Sequence, residues 1–169
     1  SFDFTAGGTG YTGFALTDVA APNNQEVVPG AYTVSEGVVA GWSSNGGVCD
    51  NGEAPDSIDV GPGETITCTF TNTKGGHIII VKDAQPNSAQ DFTFTNDFGN
   101  GNAASFDLDD DADGTLLNSK DSAVTPGTYS VSEGAVAGWD QTSATCSDGS
   151  LIGAINVSAG ETVTCTFVN

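Results

Sequence analysis

Two tandem antiparallel β-sandwich domains are the architecture this all-β sequence predicts, and three observations carry the prediction. A long segment occurs twice at constant spacing, short alternating runs bounded by turn residues recur throughout, and no stretch has a helical period. PGAYTVSEGVVAGW at Pro29–Trp42 returns as PGTYSVSEGAVAGW at Pro126–Trp139, with 11 of 14 positions identical at an offset of 97. GETITCTF at Gly63–Phe70 returns as GETVTCTF at Gly160–Phe167 with the same offset. A constant offset over so much chain means a duplicated domain. Residues 1–72 form the first copy, 73–76 a short polar, glycine-rich join, and 77–169 the second.

The elements follow in order. The second copy opens on HIIIVKD (His77–Asp83), a nearly continuous β-branched run that reads as a first strand. Alternating runs then give strands through Phe92–Phe94, Phe106–Leu108, Tyr129–Val131–Glu133, Ile155–Val157 and Val163–Cys165–Phe167, each bounded by Gly, Pro, Asn or Asp. The first copy has counterparts of all of these except the first. It begins at SFDF, the equivalent of DFTF (Asp91–Phe94), and is therefore one strand short, although Glu36 and Asn72 match Glu133 and Asn169. A sandwich missing a strand exposes an edge that templates strand addition from a neighbouring chain. A shortened start at Ser1, or exchange of His77–Asp83 between copies, is the alternative.

Composition narrows the function. The chain of 169 residues holds 3 Lys and Arg against 22 Asp and Glu, for a formal charge of −19, which argues against binding nucleic acid. The acidity fits a solvated secreted surface or cation binding. No apolar stretch is long enough to span a membrane, and Ser1 in place of an initiator methionine fits a processed chain.

Four cysteines fall two per copy, Cys49 with Cys68 and Cys146 with Cys165, each pair 19 residues apart. One disulfide within each copy is the simplest pairing and implies an oxidising, extracellular location. A four-cysteine zinc site lacks any C-x-x-C spacing, and a thiol enzyme would want a histidine in both copies, whereas His77 stands alone.

The acidic segment DLDDDADGTLLN (Asp107–Asn118) has no equivalent in the first copy. Asp109, Asp111 and Asp113 followed by Gly114 satisfy the first half of a calcium loop, with Asp107, Asp110 or a backbone carbonyl assisting. Calcium is the natural cofactor for such oxygen ligands. The twelfth position is Lys120 rather than a bidentate glutamate, so this is not an EF-hand; a solvated acidic loop is the alternative reading.

Strand parity points one polar residue inward on each of three strands: Lys82 behind Ile78 and Ile80, Glu133 behind Tyr129 and Val131, and Asn169 behind Cys165 and Phe167. A buried lysine must be neutral, paired or covalently consumed. Through IIIVKDAQPNSAQDFTFT, FDLDDDADGTLLNSK, PGTYSVSEGAVAGWD and GETVTCTFVN, the chain resembles the Ig-like, prealbumin-like domains of bacterial surface proteins, related to collagen-adhesin B-type and backbone-pilin domains. The resemblance implies a secreted stalk, adhesin or pilus-like fibre. It also implies an intramolecular isopeptide bond between Lys82 and Asn169 beside Glu133. In that chemistry the neutral amine attacks the carboxamide carbon while the glutamic acid polarises the carbonyl and helps ammonia leave. An ion pair between Lys82 and Glu133, or a lysine reaching back to water, is the alternative.

These features favour a non-enzymatic extracellular protein that self-assembles into a surface filament of identical copies, with a host surface or polysaccharide as a further partner. The second hypothesis is a carbohydrate-binding module, with Trp42 and Trp139 stacking on sugar rings; packing explains a duplicated tryptophan equally well. No constellation of nucleophile, base and oxyanion donor argues for an enzyme.

Overall fold

The computed structural model describes residues 1–169, which divide into two compact units, Ser1–Thr73 and Lys74–Asn169. Every regular element is a strand. The first unit contains β1 (Phe2–Gly7), β2 (Phe14–Leu16), β3 (Gly30–Glu36), β4 (Trp42–Cys49), β5 (Ile58–Val60) and β6 (Cys68–Lys74), which ends one residue into the second unit. One sheet runs β2-β1-β3-β5, and β4 pairs with β6 in the other.

The second unit adds β7 (Gly76–Asp83), β8 (Phe92–Asn96), β9 (Ser105–Leu108), β10 (Ser119–Val124), β11 (Gly127–Tyr129), β12 (Val131–Glu133), β13 (Ser143–Cys146), β14 (Ile155–Val157) and β15 (Thr162–Val168). Its larger sheet has the order β10-β7-β15-β13, and β12-β8-β9 with β11-β14 faces it. Only Gly75 lies outside strand in the stretch read as the join.

The run GHIIIVKD becomes β7 because its β-branched side chains suit a pleated strand with neighbours on both edges. Gly76, Ile78, Ile80 and Lys82 point to the buried side. A Cβ on Gly76 would press into the Val157 side chain and lie 2.8 Å from the Glu161 carbonyl oxygen, so the strand can start here only with glycine. β7 lies antiparallel to β10, with Ile80 opposite Lys120, and parallel to β15, with Ile80 opposite Cys165 and Lys82 opposite Phe167. The first and last strands of the unit are thus the one pair that departs from antiparallel order.

Two local differences from the sequence reading have physical causes. The run Tyr129–Val131–Glu133 is interrupted at Ser130, whose backbone N and Oγ donate to the Asp97 carboxylate at 2.7 and 2.8 Å. That side-chain competition divides the segment between two partners, β11 with β14 and β12 with β8. The other difference is β10, a strand the sequence reading did not identify. Its equivalents in the first unit, residues 22–27 at the offset of 97, form no strand, because the strand they would pair with has no counterpart there.

The cores reflect the same inequality. Fourteen hydrophobic residues are buried in the second unit, including Ile78, Ile80, Phe92, Phe94 and Phe167. The first unit buries Phe4, Tyr32, Val34, Cys49 and Ile58. Burying a large aliphatic or aromatic side chain is worth about 1.5–3 kcal/mol, so the second unit has the greater hydrophobic stabilisation.

Candidate functional site

β7, β12 and β15 bring Lys82, Glu133 and Asn169 together at one end of the second unit's core. Lys82 is 0 % exposed, and its Nζ donates to Asn169 Oδ1 at 3.0 Å, to the Asp83 carbonyl at 3.1 Å and to the Phe167 carbonyl at 3.4 Å. Glu133 Oε1 stands 3.6 Å from Nζ on a side chain only 2 % exposed and has no hydrogen-bond partner. Phe92 lies beneath the amine, its ring centroid 4.1 Å from Nζ. Burial pushes the lysine below its ordinary pKa, while Glu133, and more weakly Asp83 and Asp110, hold it up. The arrangement places an amine beside a carboxamide, with a carboxylate positioned to carry a proton.

All three residues read from strand parity therefore meet. The two carbonyl acceptors and the Phe92 ring were missed. Alternation in DFTFT places Phe92 inward, but only the three-dimensional packing puts it under the amine.

The first unit repeats this site without its lysine. Asn72 Nδ2 donates to Glu36 Oε1 at 2.6 Å, and Ser44 Oγ donates to Glu36 Oε2 at 3.1 Å. Alongside runs a groove of about 570 Å³ between residues 22–27 and the chain at Ile66–Phe70, floored by Tyr32, Val34 and Val60. Matched positions show what is uncovered. Val163, Cys165 and Phe167 are 0 % exposed in the second unit, whereas Ile66, Cys68 and Phe70 are only partly buried in the first. The groove occupies the place that β7 fills between β10 and β15.

The acidic loop brings three of its five candidate ligands together. One carboxylate oxygen from each of Asp109, Asp111 and Asp113 lies within 4.8 Å of the others. Asp109 is 1 % exposed and its Oδ1 has no partner. Burial pushes its carboxyl above the ordinary value, with Asp111 and Asp113 adding to the rise. Asp113 is held below its usual value by the Thr115 hydroxyl and backbone N, both donating to Oδ1 at 2.7 Å. The remaining two face elsewhere. Asp107 Oδ1 accepts from Thr93 Oγ1 at 2.6 Å, and Asp110 Oδ2 accepts from the Ala84 backbone N at 3.0 Å.

Both disulfides are formed, Cys49 to Cys68 and Cys146 to Cys165, and no cysteine is free. Each joins neighbouring strands, β4 to β6 and β13 to β15, and neither a thiolate zinc site nor a thiol nucleophile remains available. Trp42 packs edge-on against Phe2 at 5.3 Å and Trp139 against Phe92 at 5.4 Å, so each tryptophan is engaged with the first phenylalanine of its own copy's FDFT or FTFT motif. No helix is long and apolar enough to cross a membrane.

Among solved structures, the chain is similar to the major pilin protein T-13 of Streptococcus pyogenes at 16 % identity and a TM-score of 0.36, covering 99 % of this chain and 89 % of that one. The T3.2 major pilin of the same species gives 16 % identity and 0.28, again over 99 % and 89 %. A further S. pyogenes major pilin gives 15 % and 0.26, over 99 % and 90 %. Likeness at this level carries nothing about what the chain does. No curated protein sequence matches it. The sequence model of the prealbumin-like fold domain matches residues 1–70 and again 77–167, one match on each sandwich. With nearly its whole length matched in two copies, the chain belongs to the prealbumin-like fold domain family.

Proposed function

We propose that this chain is an extracellular structural protein, a subunit of a surface filament whose neighbours are joined by strand complementation. The groove of the first unit carries the reading, because the second unit holds β7 in the equivalent place. The strand that fits has the chemistry of β7: β-branched apolar side chains at alternate positions, then a lysine able to reach Glu36 and Asn72. Main-chain hydrogen bonds to the open edge would supply affinity, and the alternate side chains would supply register. Other copies of the chain are the partners, in a homopolymer. Two disulfides with no free thiol fit an oxidising, extracytoplasmic location.

Negative-stain microscopy and light scattering of the full-length protein test this. Filaments or concentration-dependent oligomers are expected, and excess synthetic peptide GHIIIVKD should shorten them by occupying the groove. Dispersed monomers that take up no peptide would overturn the reading.

Within the second unit, the same reading includes an amide bond from Lys82 Nζ to the side-chain carbon of Asn169. The new C–N bond replaces the carboxamide C–N bond; Glu133 relays the amine's proton, and one ammonia leaves. Fixed proximity in a dry site supplies the acceleration. Intact mass after disulfide reduction decides it: loss of one ammonia supports the bond, and an unmodified mass excludes it.

A further inference from the structure

We propose that Asp109, Asp111 and Asp113 form a calcium site that pins the connection between β9 and β10 to the outgoing end of β7. This inference stands apart from filament assembly, since it concerns the second unit alone.

The spacing D-x-D-x-D presents alternate carboxylates, and the loop curls them inward. Ala112 and Gly114 adopt positive φ of 61° and 85°, the conformations that turn an extended chain back on itself. Three carboxylates with oxygens within 4.8 Å of one another repel unless a cation lies among them. The stronger observation is Asp109. Its side chain is buried, its Oδ1 has no partner, and Oδ2 has only the Thr115 hydroxyl at 3.4 Å. A carboxylate only accepts hydrogen bonds, so a buried unpartnered oxygen calls for a donor or a metal ion. The loop's own bonds engage Asp111 Oδ1 and Asp113 Oδ1, which leaves the second oxygen of each for coordination.

The donor set contains oxygen alone, which selects a hard cation. Calcium accepts six to eight oxygens at about 2.3–2.6 Å in irregular geometry, suited to carboxylates, a hydroxyl and loop carbonyls; magnesium demands a stricter octahedron.

The site's position gives it a consequence. Asp110, between two of the ligands, accepts from Ala84 N at 3.0 Å through Oδ2 and donates its own N to the Ser88 carbonyl at 3.2 Å. At the loop's far end the Asn118 carbonyl accepts from Lys82 N at 2.8 Å. The two ends of the loop thus hold the end of β7 and the segment that leaves it, and an ion that orders the loop stiffens the frame around Lys82.

Calorimetric titration of calcium chloride into chelator-stripped full-length protein should show one saturable site, with magnesium binding more weakly. Hydrogen exchange should slow at Thr115 and at Ala84 when calcium is added. Asp111→Asn should weaken calcium by roughly tenfold or more, since affinity follows ligand charge. Asp109→Asn should abolish binding, raise the melting temperature without calcium by removing a buried unpartnered charge, and lower it relative to the parent when calcium is present. Asp121→Asn, an exposed change on β10, should leave affinity unaltered. Absence of binding at millimolar calcium, or affinity undiminished in both ligand variants, would overturn the site. Binding without slower exchange at Ala84 would overturn the pinning.

Discussion

Phe167 and Phe70 occupy the same position in the two repeats and make the same aromatic contact, yet truncating them should have unequal costs. Phe167 meets Phe94 edge-on with ring centroids 5.1 Å apart, and Phe70 meets Phe4 edge-on at 5.1 Å. What differs is cover: Phe167 is 0 % exposed beside β7, while Phe70 is partly buried at the groove. Replacing a fully buried phenylalanine by alanine costs about 3–5 kcal/mol. A side chain still partly open to water loses less on truncation, and roughly half that cost is expected for Phe70→Ala. For a sandwich of this size about 4 kcal/mol lowers the melting temperature by roughly 16–32 °C, so the two variants are separable by thermal scanning. Each unit carries one tryptophan, and a Trp42→Phe background lets Trp139 report the second unit while Trp139→Phe leaves Trp42 to report the first. Saturating peptide GHIIIVKD should raise the cost of Phe70→Ala towards that of Phe167→Ala. Equal costs without peptide, or no change when it is added, would refute the argument that the groove is the place of an absent strand.

Other consequences follow from the lysine site and the disulfides. Asn169→Ala prevents amide formation but keeps the ion pair; adding Lys82→Met then leaves Glu133 buried without its ammonium, at a further cost of about 3–5 kcal/mol by guanidinium unfolding, and Glu133→Gln should recover most of it. In the Asn169→Ala protein, Lys82 is a free amine whose pKa is lowered on folding by burial against the pull of Glu133, Asp83 and Asp110. Between that lowered value and about 10.4, the unfolded chain binds a proton the native chain lacks, so stability should rise with pH across this window, and the rise should vanish with Lys82→Met. Replacing Cys146 and Cys165 by alanine opens a loop with a sequence separation of 19 and should cost about 3 kcal/mol, measured by denaturant midpoint.

The duplication made most of the fold legible, because matched motifs, at a constant offset of 97 from Pro29 onward and with small loop-length differences before it, transfer most strands from one copy to the other. Parity along short strands located Lys82, Glu133 and Asn169, since a period of two leaves little freedom in which side chains face the core. The disulfides followed from equal spacing in both copies. Ser130 was not legible: its hydrogen bonds to Asp97 depend on a residue 33 positions away, and local alternation runs straight through it. Segment SKDSAV shows only weak alternation, and it becomes β10 because β7 offers it an edge. Among the loop carboxylates, spacing set Asp109, Asp111 and Asp113 apart but left Asp110 as an assisting ligand rather than a partner of the backbone. That distinction comes from Ala84 N, which the return of β7 places against it.

The parallel pairing of β7 with β15 bears on force. Tension applied across the second unit enters at the start of β7 and leaves at the end of β15, and the two strands lie side by side in seven registered pairs from His77–Thr162 to Asp83–Val168. Pulled from those opposite ends, the ladder of a chain without the Lys82–Asn169 amide is loaded in shear, so its hydrogen bonds must yield together rather than peel apart one by one. Resistance to extension is thereby built into the order of the strands, and the first unit would acquire the same geometry only when a strand lies in its groove.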